Sequence, residues 1–177
     1  MKTVKEKENT VFDTLKDTFG YVNPMQAPHI EKVIISTGVG SIKDKNKFKV
    51  IEDRLARIAG QKLASRVAKK SIATFKVREG DVSGYQATLR GARMYDFLDK
   101  LIHIALPRTR DFHGIPISSA DEMGNYTLGI KEHTIFPETS DEDIKDVFGF
   151  AITIVTSSKT KAETQAFLKY LGFPFSE

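Results

Sequence analysis

Three stretches of the chain alternate strictly between large apolar residues and small or polar ones. Tyr85, Ala87 and Leu89 are interleaved with Gln86, Thr88 and Arg90; Tyr126, Leu128 and Ile130 with Asn125, Thr127 and Gly129; and Phe150, Ile152 and Ile154 with Ala151, Thr153 and Val155. A period of two puts one set on each face of a β-strand, so each segment predicts a strand buried on one side only. A fourth run, HIEKVIISTG at 29–38, is rich in β-branched residues and reads as a central strand ending at Gly38. The second faces of the last two alternating strands are small and lightly polar. Either a polynucleotide backbone lies close to the sheet there, or the N-terminal helix covers it.

Segments of helical period supply the remaining apolar faces. Val4, Val11, Phe12, Leu15 and Phe19 predict one helix over 3–19, stopped at Gly20. Phe48, Ile51, Leu55 and Ile58 predict another over 44–59, with Lys45, Lys49, Glu52 and Arg57 on its far side and Gly60 at its end. Met94, Phe97, Leu98, Leu101, Ile102 and Ala105 predict a core helix stopped by Pro107. Thr160 and Glu163 make a capping box for a last helix that Gly172 ends, and Ser140 is placed to cap a short helix whose first turn holds Asp141, Glu142 and Asp143. Residues 108–124 show no period and contain Gly, Pro and Ser, which predicts a long loop.

Charge is distributed unevenly. From Gln61 to Gly80 the chain carries six cations and no acid before Glu79. Val67, Ile72, Phe75 and Val77 interrupt that charge, so the stretch reads as a short strand followed by a basic loop with a small hydrophobic anchor. Residues 43–110 hold 17 Lys and Arg against 7 Asp and Glu, whereas residues 111–146 hold 2 against 9. The basic part suits a nucleic acid and the acidic part a basic protein; ion pairing between the two within the chain is the alternative.

With 177 residues, 40% hydrophobic and 28% charged, one globular domain is expected. Cysteine is absent, which removes disulfides, thiolate metal sites and a cysteine nucleophile. No apolar run approaches the roughly 20 residues that cross a bilayer, and MKTVKEKENT lacks the apolar core of a signal peptide, so a cytosolic protein is expected. Gly38-Val39-Gly40 follows a strand, yet Lys43 stands where a dinucleotide fingerprint needs its third glycine and no Gly-Lys-Ser/Thr triplet follows. A turn in which Gly38 and Gly40 take positive φ, or admit a close backbone, is the expectation. Residues 141–143 lack the alternating oxygen ligands and central glycine of a calcium loop. His29, His103, His113 and His133 are scattered, and no serine elbow occurs. Neither an enzyme nor a metal or other cofactor is expected. A free-standing nucleotide-binding enzyme or regulator is the alternative, motivated only by the Gly38 to Gly40 turn and the histidines.

The runs KVIISTGVG (32–40), AGQKLASRVAKKSIATFKVREG (59–80), TLRGARMYDFLDKLIHIALPRTRDFHG (88–114), GNYTLGIKEHTIFPE (124–138) and ITIVTSSKTKAETQAFLKYLGFPF (152–175) together resemble the bacterial large-subunit ribosomal protein L-five family. The resemblance implies an α+β fold in which an antiparallel sheet, laid out like RNA-recognition and ferredoxin-like folds, is backed by helices, with an extra N-terminal helix and long loops. It implies binding to 5S ribosomal RNA in the central protuberance, with 23S ribosomal RNA and other central-protuberance proteins as neighbours. It also implies contact with the P-site tRNA and a bridge to the small-subunit head protein S-thirteen. Carried over, the 5S surface comprises Ser36, Thr37, Val39, Gln61, Lys62, Thr88 and Arg90. The tRNA loop runs from Lys69 to Ser83, with Lys69, Lys70, Thr74, Phe75, Lys76 and Arg78, and the small-subunit bridge takes Arg110, Asp111, Glu138, Asp141, Glu142 and Asp143. Two positions depart from the common pattern: Ser36-Thr37 stands where Asn-Met is frequent, and Thr74 where SIAGFK has glycine.

Overall fold

Strands form where the alternation places them. In the computed structural model, which describes residues 2–40, 42, 45–139 and 147–176, β1 is Ile30–Gly38, β2 Ala64–Val67, β3 Val82–Leu89, β4 Asn125–Ile130 and β5 Phe150–Thr156. They form a five-stranded antiparallel sheet in the order β2-β3-β1-β5-β4. The helices are α1 (Val4–Glu8), α2 (Val11–Phe19), α3 (Lys45–Ala59), α4 (Ala92–Lys100) and α5 (Lys161–Leu171). Sheet and helices make the expected α+β arrangement. By their internal contacts the residues group into two compact units: Met1–Val33 with Arg90–Leu128 and Thr153–Glu177, and Ile34–Leu89 with Gly129–Ile152.

In the first unit, the single helix expected over 3–19 is two helices. Thr3 caps α1 through a reciprocal pair with Glu6. At the break, the Thr10 hydroxyl donates to the Lys7 carbonyl at 2.9 Å and lies 2.7 Å from the Tyr170 hydroxyl. Side-chain bonding of this kind competes with the helical ladder, and here it turns the chain. Both helices dock by their buried stripe: Val4, Val11 and Leu15 are buried, α1 packs on α4 and α5, and α2 on α5. Cover of the sheet's small face by the N-terminal helix is therefore not the main use of these helices, and Thr127 on β4 stays exposed.

The core helix begins at Ala92 and changes pitch. Its apolar residues Met94, Phe97, Leu98, Leu101, Ile102 and Ala105 are all buried, but Leu101–Ala105 form a π-helical turn in which the Leu106 amide reaches the Leu101 carbonyl at 2.9 Å. At α5 the expected capping box is half made. The Thr160 hydroxyl accepts from the Glu163 amide at 3.3 Å, while the Glu163 carboxylate is taken by the Lys159 amide at 2.8 Å and by the Tyr21 hydroxyl. The long loop at 108–124 is tied down. Its Pro116 carbonyl accepts from the buried Tyr126 hydroxyl at 3.0 Å, and the Ile115 amide donates to Pro174 at 2.8 Å. Burial pushes the Tyr126 phenol up to about 12, with Ser119 pulling the other way.

In the second unit, α3 buries Ile51, Leu55 and Ile58 and packs on β3 and on the 3₁₀ turn Pro137–Thr139. The short helix expected from Ser140 lies outside the described residues. Arg54 is buried on α3, its Nη1 3.4 Å from Nε2 of the fully buried His133, whose ring stacks on Phe148 at 4.2 Å and 9°. Of the four histidines, this one is part of the core. Gly38 and Gly40 do not take positive φ. The close approach falls instead at Gly84, where a Cβ would sit 2.4 Å from the Thr37 carbonyl oxygen. A β-bulge explains it: Arg66 pairs with Gly84 but Val67 with Val82, so Ser83 is extra, and its carbonyl accepts from the Val39 amide at 2.9 Å.

Candidate RNA-binding surfaces

The sheet face of the second unit that alternation left polar is open. Ser36 on β1, Gln86 and Thr88 on β3 and Ala151 on β5 are half-exposed, and Gly38 and Gly129 are exposed. These side chains are small, amide or hydroxyl; none is a carboxylate. Such a surface admits a sugar-phosphate backbone closely and offers hydrogen bonds to phosphate oxygens and 2′-hydroxyls.

The residues carried over for the 5S surface do not all face outward. Ser36 and Thr88 do, and Lys62 is exposed. Gln61 is half-buried, its Nε2 donating to the Thr88 carbonyl at 3.4 Å, so it props the start of the ribbon as well as lining it. Thr37 turns inward and donates its hydroxyl to the Gly149 carbonyl at 2.9 Å, and Val39 is fully buried. Of the Ser36-Thr37 pair, then, only Ser36 offers a hydroxyl to solvent. Arg90 is exposed and belongs to the first unit.

Two residues outside that set stand on the edge ribbon made by β2 and β3. Arg66 is exposed, and its Nε donates to the Gln86 Oε1 at 2.7 Å, which orients the guanidinium across the strand pair. Gln86 was visible as a polar-face residue in the alternation. Arg66 lies in a strand of four residues, all exposed, too short to show a face.

Beyond β2 and β3 the basic stretch folds into a built loop. At its base the Ala68 amide donates to Asp81 at 2.8 Å and the Gly80 amide to Ala68 at 3.0 Å; farther out, Ile72 and Val77 exchange backbone bonds of 3.0 and 3.3 Å. The Asp81 carboxylate accepts from the Arg78 amide at 2.9 Å, and the Ser71 hydroxyl from the Glu79 amide at 2.9 Å. A 3₁₀ turn, Ala73–Phe75, ends in Lys76, whose φ of 53° is left-handed. The expected hydrophobic anchor is absent: Val67, Ile72 and Phe75 are 53%, 47% and 72% exposed, and only Val77 is half-buried. Backbone pairing holds the loop, so its apolar side chains are not needed inside. Lys69, Lys70, Thr74, Lys76 and Arg78 are all exposed, and among the described residues none of the four cations is ion-paired to a carboxylate.

Of the residues carried over for the bridge, Arg110, Asp111 and Glu138 are exposed, and Asp111 has a left-handed φ of 48°. Asp141, Glu142 and Asp143 lie outside the described residues.

Two family descriptions fit the chain end to end: "Ribosomal protein L5" over residues 23–78, and the ribosomal L5 family C-terminus over residues 82–175. The chain belongs to the ribosomal protein L5 family. Among curated relatives, the large ribosomal subunit protein uL5 of Desulfotalea psychrophila is 47% identical over 179 residues, covering 100% of both chains. That of Streptococcus pyogenes serotype M49 is 47% identical over 176 residues, covering 98% of both. Membership makes the chain a constituent of the large ribosomal subunit with ribosomal RNA among its partners, and its place the ribosome of the bacterial cytoplasm. The family is structural, and the reading as an enzyme falls.

Proposed function

We propose that this chain organises 5S ribosomal RNA within the large subunit, contacts the P-site tRNA through its basic loop, and bridges to protein S-thirteen of the small-subunit head. One observation carries the RNA reading: Lys69, Lys70, Lys76 and Arg78 stand exposed on a loop whose backbone is fully tied, with no carboxylate partner among the described residues. Like charges crowded on an ordered loop repel one another, and a polyanion removes that cost. The open polar face with Ser36, Gln86 and Thr88, together with Lys62 and Arg66 at its edge, supports a second RNA surface for 5S RNA. Exposed Arg110, Asp111 and Glu138, with the acidic run 141–143, support the protein bridge.

The two RNA surfaces are separable by mutation. Thr88→Ala with Arg90→Ala should weaken 5S RNA binding, each contact contributing on the order of 1 kcal/mol, while Lys70→Ala with Arg78→Ala should leave 5S affinity unchanged. Filter binding at fixed salt distinguishes them. Equal losses from both pairs would show that the division is wrong, and equal affinity of the wild type for unrelated structured RNAs would remove the 5S assignment.

A further inference from the structure

The cations of the loop account for attraction to phosphate, but not for what the loop holds at its end. Phe75 is 72% exposed and Ile72 47% exposed. A short loop free to move would fold such a ring against its own stem. This one is fixed by the Ile72–Val77 pair and by the bond from the Lys76 amide to the Ala73 carbonyl at 3.0 Å. Lys76, directly after the ring, holds a left-handed conformation at φ 53°, which a side-chain-bearing residue adopts only at a cost. The ring is thus held in water by the fold.

A duplex presents phosphates and sugar edges, and cations alone suffice for it. An aromatic ring among cations suits unpaired nucleotides, whose bases offer a π-face while their phosphates meet Lys and Arg. Resting on the reading of the loop as an RNA contact, we propose that Phe75 is a stacking platform for an unpaired nucleobase, so that the loop selects a looped-out or single-stranded element over helical RNA.

The full-length chain is tested against two RNAs of equal phosphate number, a stem-loop with an unpaired purine-rich loop and a blunt duplex. Because the chain has no tryptophan, Phe75→Trp supplies a single fluorophore at the site. The wild type should prefer the stem-loop. Phe75→Leu, which keeps apolar bulk, should lose about 5- to 150-fold on the stem-loop and little on the duplex. Phe75→Trp should retain the preference, with its emission quenched by the stem-loop alone. Lys69→Ala with Lys70→Ala should weaken both RNAs. If that pair weakens neither, the loop does not contact RNA and the underlying reading fails. If it weakens both while Phe75→Leu changes neither, or changes both equally, the loop binds RNA but the stacking proposal is overturned.

Discussion

Gly84 is the position where one added methyl should be felt most. Its Cβ would lie 2.4 Å from the Thr37 carbonyl oxygen, 3.5 Å from that carbonyl carbon and 3.6 Å from the Gly38 Cα. Carbon and carbonyl oxygen settle at about 3.3–3.6 Å, so Gly84→Ala requires β1 and β3 to part locally by about 1 Å. Overpacking of this kind costs about 1–3 kcal/mol. Stretching the adjacent bond between the Val39 amide and the Ser83 carbonyl adds about 0.5–1.5 kcal/mol. The expected loss is about 2–4 kcal/mol, or about 5–15 °C in Tm for a chain of this size. Gly38→Ala is the matched control: it lies beside the same contact, takes no positive φ, and its Cβ meets nothing within 4 Å. It should be neutral or stabilising by up to about 1 kcal/mol. Urea unfolding followed by circular dichroism measures both. A Gly84→Ala variant within about 0.5 kcal/mol of wild type, the scatter of ordinary surface substitutions, would refute the reasoning, as would equal losses at the two glycines.

Tyr126→Phe should cost about 1 kcal/mol at neutral pH by leaving the Pro116 carbonyl without its donor. Because burial holds the Tyr126 phenol at about 12 in the folded chain, above the usual ~10, its contribution is complete below about pH 10 and lost as pH rises through 12. Urea midpoints across that window should therefore fall less steeply in the variant. Thr160→Ala should destabilise by about 1 kcal/mol through the lost cap on α5, read as a lower thermal midpoint. Changing Lys69, Lys70, Lys76 and Arg78 together to alanine should flatten the log–log salt dependence of binding to a loop-directed RNA by about 0.7–0.9 for each phosphate released; an unchanged slope would remove these residues from the contact.

What the sequence made legible was whatever repeats. The alternation in 85–90, 125–130 and 150–155 gave three strands with the right faces, because a half-buried strand has no other way to satisfy both sides. The stripes in α3 and in the core helix likewise marked the buried residues. Features set by a single tertiary contact were not legible. The break between α1 and α2 depends on Thr10 meeting Tyr170, which lies 160 positions away. Close approach was expected at Gly38 and Gly40 but falls at Gly84, because a bulge of one residue decides which backbone is crowded. At the site, composition marked the basic loop, but the absence of a hydrophobic anchor follows from backbone pairing that no periodicity reports. Thr37 read as a surface residue because its hydroxyl and that of Ser36 look alike until the fold turns one of them toward Gly149.

The bond between Arg66 and Gln86 has a chemical consequence for whatever meets the edge ribbon. By accepting from Nε, the Gln86 carbonyl oxygen has its nearest acceptor site occupied. Outward, the couple shows the two terminal nitrogens of the guanidinium and the amide NH₂, all hydrogen-bond donors. A ligand rich in oxygens finds matching hydrogens there, whereas another protein's lysine or backbone N–H finds only its own kind. The ribbon is polarised, and a pairing made within the protein determines which partners it turns away.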